Sequence, residues 1–462
     1  MTAARIVAPF VARRATRTRA ATGAALVLAL TGLLPIATAA GTAAGTLPTD
    51  WCAPEPSSTD RPDTVAGHQI HVVYAHPADA PDRTTTLAPR IVRDLGGVDA
   101  WWRGQDPGRT PRFDLAAFAD CDSPLGALDL TTLALPGPST AYANPDATLA
   151  ASVRTELQRV LGPKAGTVYL VYLDAPVGPF HDQVVCGLAA ANTAFVFLQQ
   201  SPGCSPGGGL GAGDGWPAST AAHELTHLFT NGPLTGAPHA CPDDDGHICE
   251  PGSGDLLDTA SPRTSPFLSD MVLDPGRDDY YGHGIPGRID VRASEYLARL
   301  DAPQQPVTVA VTPDGGGRVT SAGPGIACPP ACSIPFDGDT TVRLVATAAD
   351  GYVFRGWSGS CSGPATQCAV VADSALDVTA TFEALVAYRV RVVGSGRITT
   401  LTDACDARCT WDAPARTTVD LHAEPERGAR FAGWSGACAG ERARCRVRIG
   451  KAVRVVATFE RR

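Results

Sequence analysis

Four of the chain's ten histidines and five carboxylates crowd into residues 223–250, HELTHLFTNGPLTGAPHACPDDDGHICE. His223 and His227 stand four apart, so on a helix they share one face, and two imidazoles so placed can hold one zinc ion. Glu224, beside the first, can reach the water that completes the coordination of such an ion. This set of residues suits hydrolysis of a peptide bond. Zinc acidifies water and polarises the scissile carbonyl, and the glutamate takes the proton and returns it to the leaving amine. With ten His and ten Glu, HExxH arises by chance in roughly half a percent of chains of this length, so its presence here is informative.

A third ligand must come from beyond Gly232, where the chain leaves the helix and can fold back over the metal. His239 in GAPHAC is the first expectation, as the nearest imidazole after the turn, because zinc favours nitrogen. His247, Asp255, Asp258 and Glu295 could also fill the place. The run CPDDDGH matches no EF-hand spacing and reads as a solvated acidic loop. Tyr280, Tyr281 and His283 in DDYYGH either steady an oxyanion or cover a core edge. No Ser/His/Asp triad stands out. GCSPGGGLGAGDG lacks the Lys-Ser/Thr ending of a phosphate loop and reads as a flexible loop before the active-site helix.

These residues need a scaffold. PASTAAHELTHLF reads as a helix opened by Pro217, with Ser219 or Thr220 near its cap, and closed by Asn231-Gly232-Pro233. Leu225, Leu228 and Phe229 then turn toward a core. Upstream, HQIHVVYA, GTVYLVYLD and TAFVFLQ alternate as strands, while TLAPRIVRDLGGVDAWW and PDATLAASVRTELQRVLG carry helical spacing. Strands interleaved with helices predict an α+β domain over residues 41–300. Of its six cysteines, only Cys241 and Cys249 are paired by expectation, which pins the loop containing His247.

PASTAAHELTHLF and its surroundings resemble the zincin metallopeptidases. The resemblance implies a mixed sheet backed by helices, with HExxH on the central one. More closely, HELTHLF, APHAC, GHIC and GDLLD followed by LDPGRDDYYGH are similar to secreted actinobacterial proteins of metzincin-like type, over roughly residues 68–300. The chain departs from HExxHxxGxxH, with Thr230 at the glycine and Pro233 at the third histidine. The resemblance also puts Leu257 where a metzincin has the methionine under its zinc.

The linker 301–305 leads into a duplication. Cys328, Cys332, Trp357, Cys361, Cys368 and Phe382 recur 77 positions later as Cys405, Cys409, Trp434, Cys438, Cys445 and Phe459. Alternating strands and Gly/Pro/Asp turns predict two small disulfide-bonded all-β domains, 306–383 and 387–460. FRGWSGSCSGPATQC and FAGWSGACAGERARC resemble divergent internalin-type B-repeats, which implies stalk or adhesion modules without catalysis. Each tryptophan, set between cysteines, reads as the centre of a mini-core.

Residues 1–40 read as a signal peptide, with Arg5, Arg13, Arg14, Arg17 and Arg19 before the run GAALVLALTGLLPIATAA and cleavage after Ala39 or Ala40. Export makes the fourteen cysteines seven disulfides rather than metal or redox sites. Losing five arginines moves the net charge from -9 to about -14, which argues against a nucleic-acid partner. Residues 387–462 hold 15 Arg/Lys against 8 Asp/Glu, or +7, and 306–383 hold 3 against 7, or -4. Residues 41–305 therefore carry about -17.

The expected protein is a secreted zinc endopeptidase acting on a protein or peptide. His223, His227 and His239 hold zinc and Glu224 is the general base and acid. The mature chain has no transmembrane segment, and the repeats offer contact with a cell-envelope polymer. The competing expectation is a catalytically silent zincin-like adhesion or binding protein.

Overall fold

The computed structural model describes residues 51, 56–117, 126–180, 184–199, 204, 208–259, 266–323, 325–450 and 453–462. The leader predicted over residues 1–40, together with Cys52 and Cys121, lies outside them. The protein is mostly β, with three α-helices among the described residues, none long and apolar enough to cross a membrane. It divides into two compact units, one built essentially from the chain up to Gln304 and one from the remainder.

The first unit is organised by a five-stranded sheet. Its strands are β1 (Gln69–His76), β2 (Leu130–Ala134), β3 (Thr167–Leu173), β4 (Gly187–Ala190) and β5 (Thr193–Phe197), in the order β2-β1-β3-β5-β4. All neighbours run parallel except β4, which turns back antiparallel to β5 at the edge. Every residue of β1 and β3 is buried, because parallel strands covered on both faces read as continuous apolar runs.

The period of two assigns the faces. Ile70, Val72 and Tyr74 of β1 pack with Leu87, Ile91 and Leu95 of helix α1 (Thr84–Gln105) and with Leu225 and Leu228 of α3 (Trp216–Thr230). Val73 and Ala75 meet Leu149, Val153 and Leu157 of α2 (Ala147–Leu161) on the other side. Truncating a fully buried leucine here, such as Leu225→Ala, costs about 2–5 kcal/mol.

Helix ends follow local chemistry. Asp146 caps α2, its carboxylate accepting from the backbone N–H groups of Thr148 and Leu149. α3 begins at Gly215 with Pro217 in its first turn and no side-chain cap, so Ser219 and Thr220 do not cap it as expected. It ends at Asn231 in the left-handed conformation, φ 46°. The glycine-rich approach, expected to be flexible, is tied down over its described part. Asp94 of α1 accepts from the N–H groups of Gly211 and Gly213 at 2.8–3.0 Å.

In the second unit the 77-residue displacement is also structural. Cys328–Cys332 and Cys361–Cys368 recur as Cys405–Cys409 and Cys438–Cys445. Trp357 Nε1 donates to Ala365 O at 2.7 Å and Trp434 Nε1 to Arg442 O at 2.8 Å, and both rings are buried beside a phenylalanine. One strand of eighteen residues, Leu376–Val393, runs without interruption through 384–386 and serves both copies.

Candidate metal centre

α3 presents His223 and His227 on one face, as the four-residue spacing requires. The third imidazole brought to them is His247. It sits on a short hairpin of β6 (Ala240–Cys241) and β7 (Asp244–Ile248), bracketed by the disulfide Cys241–Cys249. The Nε2 atoms of His223, His227 and His247 form a triangle with edges of 3.0, 3.1 and 3.2 Å. His223 and His247 are completely buried and His227 is 3% exposed.

The outer nitrogens decide what that triangle holds. His223 Nδ1 donates to the Leu256 carbonyl at 2.7 Å, which leaves its Nε2 bearing the lone pair. His247 Nδ1 lies 2.8 Å from an Asp244 carboxylate oxygen, which favours the same tautomer. Burial and the neighbouring His247 push the His227 imidazole well below its ordinary pKa, so it is neutral. Burial works to raise the Asp244 pKa, yet the adjacent His247 imidazole holds it below the ordinary carboxylate value. Lone pairs converging in a dry space repel unless a cation joins them. Tetrahedral zinc with Zn–N of about 2.0–2.1 Å separates its nitrogens by about 3.3 Å, close to the observed edges.

Glu224 is fully buried. The edge strand β4 reaches it through Gly187, where a Cβ would lie 2.7 Å from Glu224 Oε1 and 2.6 Å from both Thr220 Cγ2 and the Phe195 carbonyl. Only glycine allows so close an approach.

His239, the first expectation for the third ligand, is elsewhere. Its backbone N–H and Nδ1 both bond the Asp279 carboxylate, at 2.9 Å each, and its side chain is 37% exposed. The hydrogen bond to Asp279 raises its pKa, so a carboxylate away from the triangle holds this imidazole. Asp255, Asp258 and Glu295 also lie outside the triangle. Asp255 accepts from Leu257 N–H and Tyr280 OH, and burial pushes it up to about 8. The Glu295 side chain is 75% exposed, beside His68. Asp258 pairs through its backbone with Ile248.

The proposed oxyanion residues are engaged in holding their own loop. Tyr280 OH bonds Asp255, Tyr281 OH bonds Asp106 at 3.0 Å, and His283 Nε2 donates to Ile289 O. Three participants escaped sequence reasoning. Asp244 was hidden in an acidic run, Leu256 acts through its main chain, and Gly187 acts by having no side chain.

Residues 307–385 and 393–462 match the family described as divergent InlB B-repeat domain, so the C-terminal copies are B-repeats of that type. No curated protein is similar to this chain. Among solved structures, a catalytically inactive OgpA from Akkermansia muciniphila in complex with an O-glycopeptide substrate is 10% identical. The match covers 90% of this chain and 100% of that one at a TM-score of 0.28. Wild-type OgpA matches at 10% identity over 89% and 99%, TM-score 0.28. The major pilin protein T-13 of Streptococcus pyogenes matches at 10% over 34% and 97%, TM-score 0.15. Likenesses of this strength assign neither a fold nor an activity.

Proposed function

We propose that this is an extracellular zinc-dependent endopeptidase. The observation that carries the proposal is the convergence of three buried Nε2 atoms beside a glutamate on the same helix. His223, His227 and His247 hold the ion, which replaces the expected set with His239. A zinc ion bound there supplies Lewis acidity toward a water and a peptide carbonyl. Glu224 Oε accepts the proton of the attacking water and delivers it to the departing amine nitrogen. Asp244 and the Leu256 carbonyl orient His247 and His223. Beyond β4 no further strand is paired among the described residues, and an extended peptide adding to that edge would lie beside Glu224. Disulfides throughout the chain and B-repeats support an extracellular setting.

Burial favours a second reading, a catalytically silent binding protein. The three imidazoles and Glu224 expose at most 3%, so substrate reaches them only when the surrounding chain moves. The variant Glu224→Gln separates the two. Under the first reading it retains one zinc and loses casein hydrolysis by a factor of about 10²–10⁴. Equal hydrolysis by both forms would contradict the mechanism, and zinc without hydrolysis in the wild type would favour the silent protein.

A further inference from the structure

The second B-repeat carries an arginine face that the first lacks. Take β8 as Gln304–Thr312, β9 as Leu376–Val393, β10 as Arg408–Pro414 and β11 as Arg454–Arg461. On β9, Arg389 and Arg391 alternate with the buried Tyr388, Val390 and Val392, so both point away from the core. Arg454 of β11 is the register partner of Arg389, and Arg408 of β10 that of Arg391. Cross-strand partners share a face, so four exposed guanidinium groups stand on three adjacent strands. Like charges placed opposite one another destabilise a sheet. Nevertheless, among the described residues none of the four has an ion-pair partner, whereas Arg397, Arg430 and Arg446 are paired with Glu424, Glu460 and Asp420. Asp412, opposite Ala387, is an acidic side chain at one end of this face, and Glu460, already paired with Arg430, lies farther along β11.

The duplication supplies an internal control. Thr308 of β8 pairs with Asp377 as Arg389 pairs with Arg454, which makes Ala310 the equivalent of Arg391. The 77-residue displacement makes Ala331 the equivalent of Arg408. The same fold therefore forms with Thr, Ala, Ala and Asp at the four positions. The arginines serve something other than folding.

We propose that this face binds a linear phosphodiester polymer of the cell envelope, of the polyol phosphate kind. The guanidinium fork matches phosphate oxygens in pairs. Arginines about 7 Å apart along β9 and about 5 Å apart between strands suit a chain of repeated phosphates better than a single ion. Nucleic acid fits less well, because Tyr388 and its partner Trp411 alternate onto the opposite face and leave no aromatic platform for bases among these arginines. This proposal rests on the repeats alone and is independent of the metal centre.

The test titrates the full chain with poly(glycerol phosphate) across a salt series. Four contacts at roughly 0.7 each predict a log–log salt slope of about -3. The variant Arg389→Thr/Arg391→Ala/Arg408→Ala/Arg454→Asp, which installs the residues of the first copy, should bind at least tenfold more weakly and lose that slope. Replacing all four by lysine should keep the slope. The reverse graft, Thr308→Arg/Ala310→Arg/Ala331→Arg/Asp377→Arg, should strengthen binding, and it tests the idea even if the first variant fails to fold. Absence of wild-type binding at low salt, unchanged binding in the exchanged variant, or tighter binding of single-stranded DNA than of the polyol phosphate would each overturn the proposal.

Discussion

A methyl group placed on residue 187 would meet Glu224 Oε1 at 2.7 Å, Thr220 Cγ2 at 2.6 Å and the Phe195 carbonyl oxygen at 2.6 Å. Ordinary contact begins near 3.4 Å, so something must retreat by about 0.7 Å or more. The Phe195 carbonyl belongs to β5 inside the sheet, and Thr220 is buried on α3. The end of the Glu224 side chain is the softest of the three, so Gly187→Ala displaces the proton-transfer group and leaves the imidazoles in place. A shift near 1 Å at a reacting group costs about 10²-fold in rate, within the 10²–10⁴ that general acid–base catalysis supplies. The overpacking itself costs about 1–3 kcal/mol of stability. The assay is kcat on a fluorogenic peptide, with zinc content and melting temperature measured on the same sample. The expected outcome is one zinc per chain, a modest loss of stability and kcat lowered about a hundredfold. A folded Gly187→Ala protein with wild-type kcat would refute the role given to Glu224.

Two further consequences concern support of the site and pH. Asp244→Ala removes the acceptor beside His247 Nδ1 and should weaken zinc binding about 10–100-fold, measured by competition with a chelating dye; unchanged affinity would mean that Asp244 does not orient the ligand. Asp63 is pushed up to about 8, by burial first and then by the Asp114 charge. In the folded protein it therefore keeps a proton that the unfolded chain releases near pH 4. Its contribution to stability is full below that pH and is lost as pH rises through about 8, with a slope of at most about 1.4 kcal/mol per pH unit. Asp63→Asn stays neutral, so denaturant titrations should show a flatter decline between about pH 4 and 8 than in the wild type; parallel curves would remove Asp63 as the cause.

The sequence carried the local signals well. The spacing of His223 and His227, the apolar stripe of α3 and the left-handed stop at Asn231 are properties of neighbouring residues, and the helix appears over Trp216–Thr230. The pairing of Cys241 with Cys249 was legible for the same reason, and so was the register of the two repeats, where cysteines and tryptophans mark the displacement. The choice between His239 and His247 was different, because it depends on partners far along the chain. Asp279, forty residues downstream, takes His239. The hairpin closed by Cys241–Cys249 points His247 inward. Being nearest in sequence was the wrong criterion, since a tight hairpin exchanges which of two histidines faces the helix. Nor could composition show that β4 runs against Glu224, or that Leu376–Val393 continues through both repeats, because strand pairing is decided by tertiary contact.

The most direct measurement is zinc content of the purified wild-type chain beside His247→Ala and His239→Ala, each checked for folding. The account predicts one zinc per chain in the wild type and in His239→Ala, and loss of tight zinc in His247→Ala. Zinc retained by His247→Ala and lost from His239→Ala would contradict the ligand set, and with it the geometry on which the proposed hydrolysis depends.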